Sequence, residues 1–245
     1  ALTATATASV RADIIKNLGM KNPEIFVASF NRKNIFLDVR PKRDALQQVV
    51  RFIENHPDES GIVYCFSRRE VDELARTLTD RGFSALNYHA GLSEAERASH
   101  QEAFIRDRVL IMVATVAFGM GIDKPNVRFV IHYSVPKSIE LYYQEIGRAG
   151  RDGLPSHALL LYGEEDVRKI RWFFDESADR EKSEWLLQSM ISYASSKTCL
   201  RRSLLSYFGE KAESGDAPSC CSVCAAGELP LADVTLPAQK LLSCI

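Results

Sequence analysis

Charge of neither sign prevails in this 245-residue sequence: Lys plus Arg number 31 and Asp plus Glu 32, a formal net charge of −1. No global positive field is available to draw in a polyanion, so affinity for nucleic acid has to come from a local arrangement of side chains. Long apolar runs are missing too. The longest uncharged run, Val109 to Ile122, has 14 residues and two glycines, short of the roughly 17 to 25 that a membrane-spanning helix requires. No charged n-region leads into an apolar h-region at the N-terminus, so no secretory signal is visible. The first residue is Ala1 rather than Met, which reads as the middle of a longer chain. Cysteine is sparse, six in all, with Cys65 alone and Cys199, Cys220, Cys221, Cys224 and Cys244 near the other end. That is no disulfide scaffold, and clustered thiols without a signal favour a metal.

What is present is 46% hydrophobic residues, enough for one sizeable core or two modest ones. From about residue 35, short β-branched runs alternate with helical periodicity. Ile35 to Val39, Gly61 to Phe66, Ala85 to Tyr88, Val109 to Ala114, Arg128 to His132 and His157 to Tyr162 read as strands. Between them Asp44 to Glu54, a helix opened by the capping box Ser67/Glu70, another by Ser93/Glu96, and Ser138 to Ile146 read as helices. This order predicts an α/β fold, a mostly parallel sheet with helices on both faces, and functional loops at the strands' carboxyl ends. After Gly163 the strand signal stops, and a smaller helical region is expected.

Three segments carry chemistry. In Gln144-Glu145-Ile146-Gly147-Arg148-Ala149-Gly150-Arg151-Asp152-Gly153 two arginines three apart are flanked by glycines. Glycine allows close backbone approach to an anion and arginine grips phosphate oxygens in a planar fork. Standing alone, the segment reads more readily as a solvated loop with surface arginines. Upstream, the strand ending at Ala114 runs through Thr115 into a turn holding Gly119 and Gly121 and closed by Asp123. Backbone amides there can meet phosphate, and Asp123 can accept from a ribose hydroxyl or orient an arginine, or simply cap a tight turn. Finally Cys221-Ser-Val-Cys224 is a Cys-x-x-Cys knuckle of the kind that holds zinc.

Together the two loop segments resemble motifs V and VI of superfamily 2 helicases. With Tyr88-His89-Ala90-Gly91-Leu92, Tyr64-Cys65-Phe66-Ser67-Arg68, the opening Leu2-Thr3-Ala4-Thr5-Ala6 and the Cys199-Leu200-Arg201-Arg202 start, the sequence resembles the RecQ DNA helicases, and a bacterial member in particular. The resemblance implies a RecA-like fold followed by a small helical zinc-binding domain. Residues 1–30 would end a first lobe and its linker, 31–163 form the second lobe, 164–228 the zinc domain, and 229–245 a linker and the start of a winged helix. Arg151 would be the arginine finger on ATP, supported by Arg148 and Gln144, with Gly121 and Asp123 at the nucleotide. Ser67, Arg68, His89, Gly91 and Thr115 would hold the DNA backbone. His89 reads equally well as a structural histidine, and Tyr142 and Tyr143 as helix core.

For zinc the ligands implied are Cys199, Cys220, Cys221 and Cys224, although the family separates the second cysteine from the knuckle and here Cys220 adjoins Cys221. Such a zinc would be structural, and its removal should unfold the residues after about 165. The family's ATP site also needs Gly-Lys-Ser/Thr and a strand-end Asp-Glu pair with Mg²⁺; no Gly-Lys dipeptide occurs anywhere. The implied whole is a cytoplasmic, nucleoid-associated ATP-dependent 3′–5′ DNA helicase acting in recombination, repair and replication. Its partners would be DNA, ATP and the first RecA-like lobe, and these 245 residues alone should not hydrolyse ATP. An RNA helicase of the DEAD-box kind would carry His-Arg before the Gly-Arg, where this sequence has Gln144-Glu145, and would lack the cysteines. A non-catalytic interaction module is the other reading.

Overall fold

The computed structural model describes residues 3, 8–119, 122–174, 179–211 and 219–227. Its centre is a parallel sheet of six strands, β1 (Ile35–Pro41), β2 (Ser60–Tyr64), β3 (Ala85–Tyr88), β4 (Ile111–Ala114), β5 (Val127–His132) and β6 (Ser156–Tyr162), in the order β1-β6-β5-β2-β4-β3. The inner strands read as continuous apolar runs because both faces are covered: all four residues of β4 are buried, as are all five of β2. Successive residues then serve opposite cores. Ile62, Met112, Val130 and Leu160 pack on one side, and Val63, Val113, Ile131 and Leu161 on the other.

The second of these cores is roofed by α2 (Ala45–Glu54) and α3 (Arg68–Asp80). In α3 the cap residue Ser67 and Glu70 exchange hydrogen bonds as the sequence predicts, and Val71, Leu74, Ala75 and Leu78 form the buried stripe. The first core lies under α4 (Glu94–Ile105), α5 (Ile139–Ile146) and α6 (Glu164–Trp172). Ser93 and Ser138 cap α4 and α5 through their side-chain oxygens.

The helices α7 (Arg180–Ala194) and α8 (Leu200–Tyr207) have no separate core. Leu187, Met190, Leu200, Leu204 and Leu205 join the cluster that holds Ile139, Tyr142 and Leu37. A short α9 (Ser222–Ala225) follows at the outer edge of β1. A further helix, α1 (Ala8–Asn17), occupies part of the segment read as lobe end and linker. Cys244 and the expected start of a winged helix lie outside the described residues. Among the described residues no helix is long and apolar enough to cross a membrane.

Candidate functional site

The arginine segment starts where α5 stops. Arg148 and Ala149 continue the turn with N–H bonds to the carbonyls of Glu145 (3.2 Å) and Ile146 (3.0 Å), and Gly150, at φ +57°, donates to Val127 O at 2.8 Å. A Cβ at Gly150 would lie 2.3 Å from Asn34 Nδ2 and 2.6 Å from Ser156 Oγ, so glycine is required there. The loop is then tied down from the stretch before β1. Arg32 donates to the carbonyls of Gly147 (3.2 Å), Ala149 (3.0 Å) and Gly150 (3.0 Å), and Asn34 to those of Gly150 and Leu154, both at 2.9 Å. Arg128 Nη2 lies 2.7 Å from each oxygen of Asp152 and holds that carboxyl below its usual range. Neither Arg32 nor Asn34 stands out in the sequence, because a fastening partner more than a hundred residues away leaves no periodic trace.

So fixed, the two arginines reach back to the strand-to-turn segment after β4. Arg148, buried, donates from Nη1 to Gly119 O at 2.5 Å, while its Nε has no hydrogen-bond partner among the described residues. Arg151 donates to Ile122 O at 2.8 Å and to Asp123 Oδ1 at 2.9 Å, with 34% of its side chain exposed and 90% of Asp123's. Gly121 lies outside the described residues. The far side of that turn is pinned by Lys124, a fully buried lysine whose Nζ lies 2.5 Å from Asp107 Oδ1.

Arg148, Arg151, Gln144, Gly119 and Gly147 line a cavity of about 590 Å³ together with Arg11, Arg32 and residues 26–30. Thr3 contributes to the lining as well. Among the described residues no carboxylate lines it. Four guanidiniums around a space of ligand size could hold an anion.

A second cavity, about 520 Å³, opens at the carboxyl ends of β2, β4 and β5. Ser67, Arg68 and Thr115 line it, together with Ser134, Lys137 and the rings of Phe66 and Phe173. Ser67 Oγ accepts from Glu70 N at 3.2 Å as the helix cap, and a hydroxyl that accepts in this way still has a proton to donate. Gly91 sits against Arg68: a Cβ there would lie 3.3 Å from Arg68 Nη1. His89 is placed differently. It is buried, its Nδ1 accepts from Gly91 N at 3.1 Å, and Nε2 therefore carries the proton that meets Asp72 Oδ1 at 2.8 Å. Both ring nitrogens are thus hydrogen-bonded within the protein. Tyr142 is fully buried and Tyr143 donates to Phe30 O at 3.1 Å.

The Sγ atoms of Cys199, Cys220, Cys221 and Cys224 all lie within 4.8 Å of one another. Cys199 Sγ and Cys220 Sγ are 3.5 Å apart, and Cys220 and Cys224 4.0 Å. A tetrahedral ion with Zn–S bonds of ~2.3 Å needs sulfurs ~3.8 Å apart, so this donor set fits. Burial opposes ionisation of Cys221, but the N–H groups of Cys224, Leu200 and Val223 hold its thiol below the usual value. The cluster is welded to the sheet. Leu37 N donates to Cys220 O (3.4 Å) and Val39 N to Ser222 Oγ (3.2 Å), and the buried Arg201 donates to Asn31 Oδ1, Arg32 O, Ile35 O and Cys220 O at 2.6–3.4 Å.

Two family descriptions match the chain: the helicase conserved C-terminal domain over residues 41–153 and the RecQ zinc-binding domain over residues 164–225. The ATP-dependent DNA helicase RecQ of Pasteurella multocida is 43% identical over 250 residues, covering 100% of this chain and 39% of that protein. The RecQ-like DNA helicase BLM of Xenopus laevis is 49% identical over 220 residues, 86% of this chain and 16% of that protein. Bacterial and animal relatives match alike, so these likenesses do not separate a bacterial source from a eukaryotic one. The chain spans about two fifths of the bacterial relative and less of the animal one. Among solved structures, S. cerevisiae Dbp5 bound to RNA and ADP BeF3 superposes with a TM-score of 0.57 at 19% identity over 77% of this chain and 54% of that one. A DEAD box protein from Methanococcus jannaschii gives 0.53 at 27%, over 68% and 46%. The first shares the fold of the lobe.

Proposed function

The chain belongs to the RecQ family, and from that premise we propose that it is the second motor lobe and zinc-binding region of an ATP-dependent DNA helicase moving 3′ to 5′. The observation that carries the reading is the cavity of four arginines, two of them on the Gly-Arg-Ala-Gly-Arg loop. A triphosphate gripped by a Gly-Lys loop that this sequence lacks would meet that cavity with its γ-phosphate. Arg151, the more exposed arginine and the one tethered to Asp123, is the finger; Arg148 and Gln144 stand behind it. Guanidinium charge placed where negative charge develops lowers the barrier, by ~10³ to 10⁵ in rate in related enzymes.

Nucleic acid lies in the other cavity. Ser67, Arg68 and Thr115, with the backbone near Gly91, contact phosphates without reading bases, as a translocating motor requires. His89 supports this loop from within. The four thiolates of Cys199, Cys220, Cys221 and Cys224 would hold a structural zinc, which would tie the segment together and supply no redox chemistry. In the Pasteurella multocida relative, the corresponding segment can be replaced by this chain. The chimaera should hydrolyse ATP in a DNA-dependent way and lose at least a thousandfold in rate with Arg151→Ala. Undiminished hydrolysis by that variant would overturn the assignment.

A further inference from the structure

Helix α5 is the wall between the two cavities. Gln144, Gly147 and Arg148 face the arginine cavity, while Leu141 and Glu145 face the other. At the floor of the latter, Glu145 Oε2 lies 2.8 Å from Nε2 of His132, the last residue of β5, and both side chains are at most 5% exposed. The His132 ring stacks on Tyr64 at 5.6 Å. Tyr64 in turn donates its hydroxyl to Phe118 O at 2.8 Å, one residue before the Gly119 carbonyl that takes Arg148. Contacts therefore run unbroken from the floor of one cavity to the guanidinium in the other, and return through α5.

His132 Nδ1 and Glu145 Oε1 are buried with no hydrogen-bond partner among the described residues. A buried polar atom left unpaired is destabilising, and an apolar pair of the same shape would hold the helix without that penalty. The pair is thus poorly accounted for by stability alone. Resting on the assignment of the two cavities above, we propose that the Glu145–His132 hydrogen bond is a positioning contact: a strand seated in the carboxyl-end cavity fixes α5 through it, and so fixes Arg148. In this scheme the strand rests on the pair at the cavity floor, and neither residue touches the triphosphate.

The test is hydrogen–deuterium exchange of the full chain with and without saturating oligodeoxythymidylate. In the unsubstituted chain the oligonucleotide should slow exchange at 66–68 and 115–117 and, across the wall, at 147–151. His132→Ala and Glu145→Ala should keep the first protection and lose the second; Glu145→Gln, whose amide oxygen still accepts from Nε2, should restore it. Protection at 147–151 that survives both alanine variants, or is absent from the unsubstituted chain while 66–68 is protected, overturns the proposal. No protection at any of these segments in the unsubstituted chain would overturn the nucleic-acid assignment of the cavity, and the positioning contact with it. A variant that fails to fold is recognised by fast exchange throughout β2, β4 and β5, and the glutamine variant then decides.

Discussion

The guanidinium of Arg148 fills the space that a side chain at Gly119 would need: a Cβ built there would lie 2.3 Å from Nη2 and 2.8 Å from Cζ. What must yield is the far end of a long side chain rather than backbone. Gly119→Ala should therefore leave stability within ~1 kcal/mol while expelling the guanidinium from its seat. In the chimaeric helicase, hydrolysis should fall about 100-fold, measured as kcat beside an unchanged melting temperature.

Asp123 offers a graded test of the neighbouring arginine. Its carboxylate is almost fully exposed, so the pair with Arg151 contributes under ~1 kcal/mol to stability. Asp123→Ala leaves the bond to Ile122 O in place. Hydrolysis should drop about 10-fold, well short of the loss for Arg151→Ala, with the melting temperature unmoved.

Arg201 is buried under four acceptors from two stretches of chain. Its replacement by alanine takes from Ile35 O the donor it receives there and leaves the carbonyls of Arg32 and Cys220 with one donor each, from Ile35 N and Leu37 N, a loss of about 3 kcal/mol. Urea titration should show the midpoint displaced by that amount. Arg202, which is exposed, serves as the control and should change little.

Removing zinc tests how far the helical region depends on it. Because α7 and α8 share the core of the sheet, a chelator should leave their helicity largely intact instead of unfolding everything after about 165. A loss of about 3 kcal/mol would lower the melting temperature by roughly 6–12 °C. Circular dichroism would report the retained helix, and exchange at the Leu37 and Val39 amides the loosened edge.

Acid stability should depend on Asp38. Burial pushes its carboxyl up, but His157 (3.3 Å) and Arg40 (2.8 Å) outweigh that and hold it below the ordinary value of 3.8. A carboxyl depressed in the folded state binds fewer protons there than in the unfolded chain. Its stabilisation is present above pH ~3.8 and is lost as pH falls through the lower folded value. Asp38→Asn should flatten the stability profile in that window, read from unfolding midpoints at successive pH values.

Much of the fold was legible because its signals are local. The capping boxes at Ser67 and Ser93, the stripe from Val71 to Leu78, and the apolar runs of β2 and β4 each lie within a few residues. The arginine loop and the cysteine knuckle were legible for the same reason. What escaped joins distant residues: Arg32 under the loop, Lys124 on Asp107, Arg201 across the junction, and Glu145 on His132. Each is a polar residue fastened by partners elsewhere in the chain, and nothing in its own neighbourhood marks it. The shared core of α7 and α8 escaped likewise, since amphipathic spacing shows that a helix buries a face but not against what.

The bridge between Cys221 and Leu37 has a consequence for handling the protein. β1 is an outermost strand, and Cys220 and Ser222 occupy two of its outward amides. An uncovered outermost strand is a template on which another molecule can add its own. The cysteine knot therefore also guards against self-association: metal-starved preparations should form oligomers through β1 before they unfold.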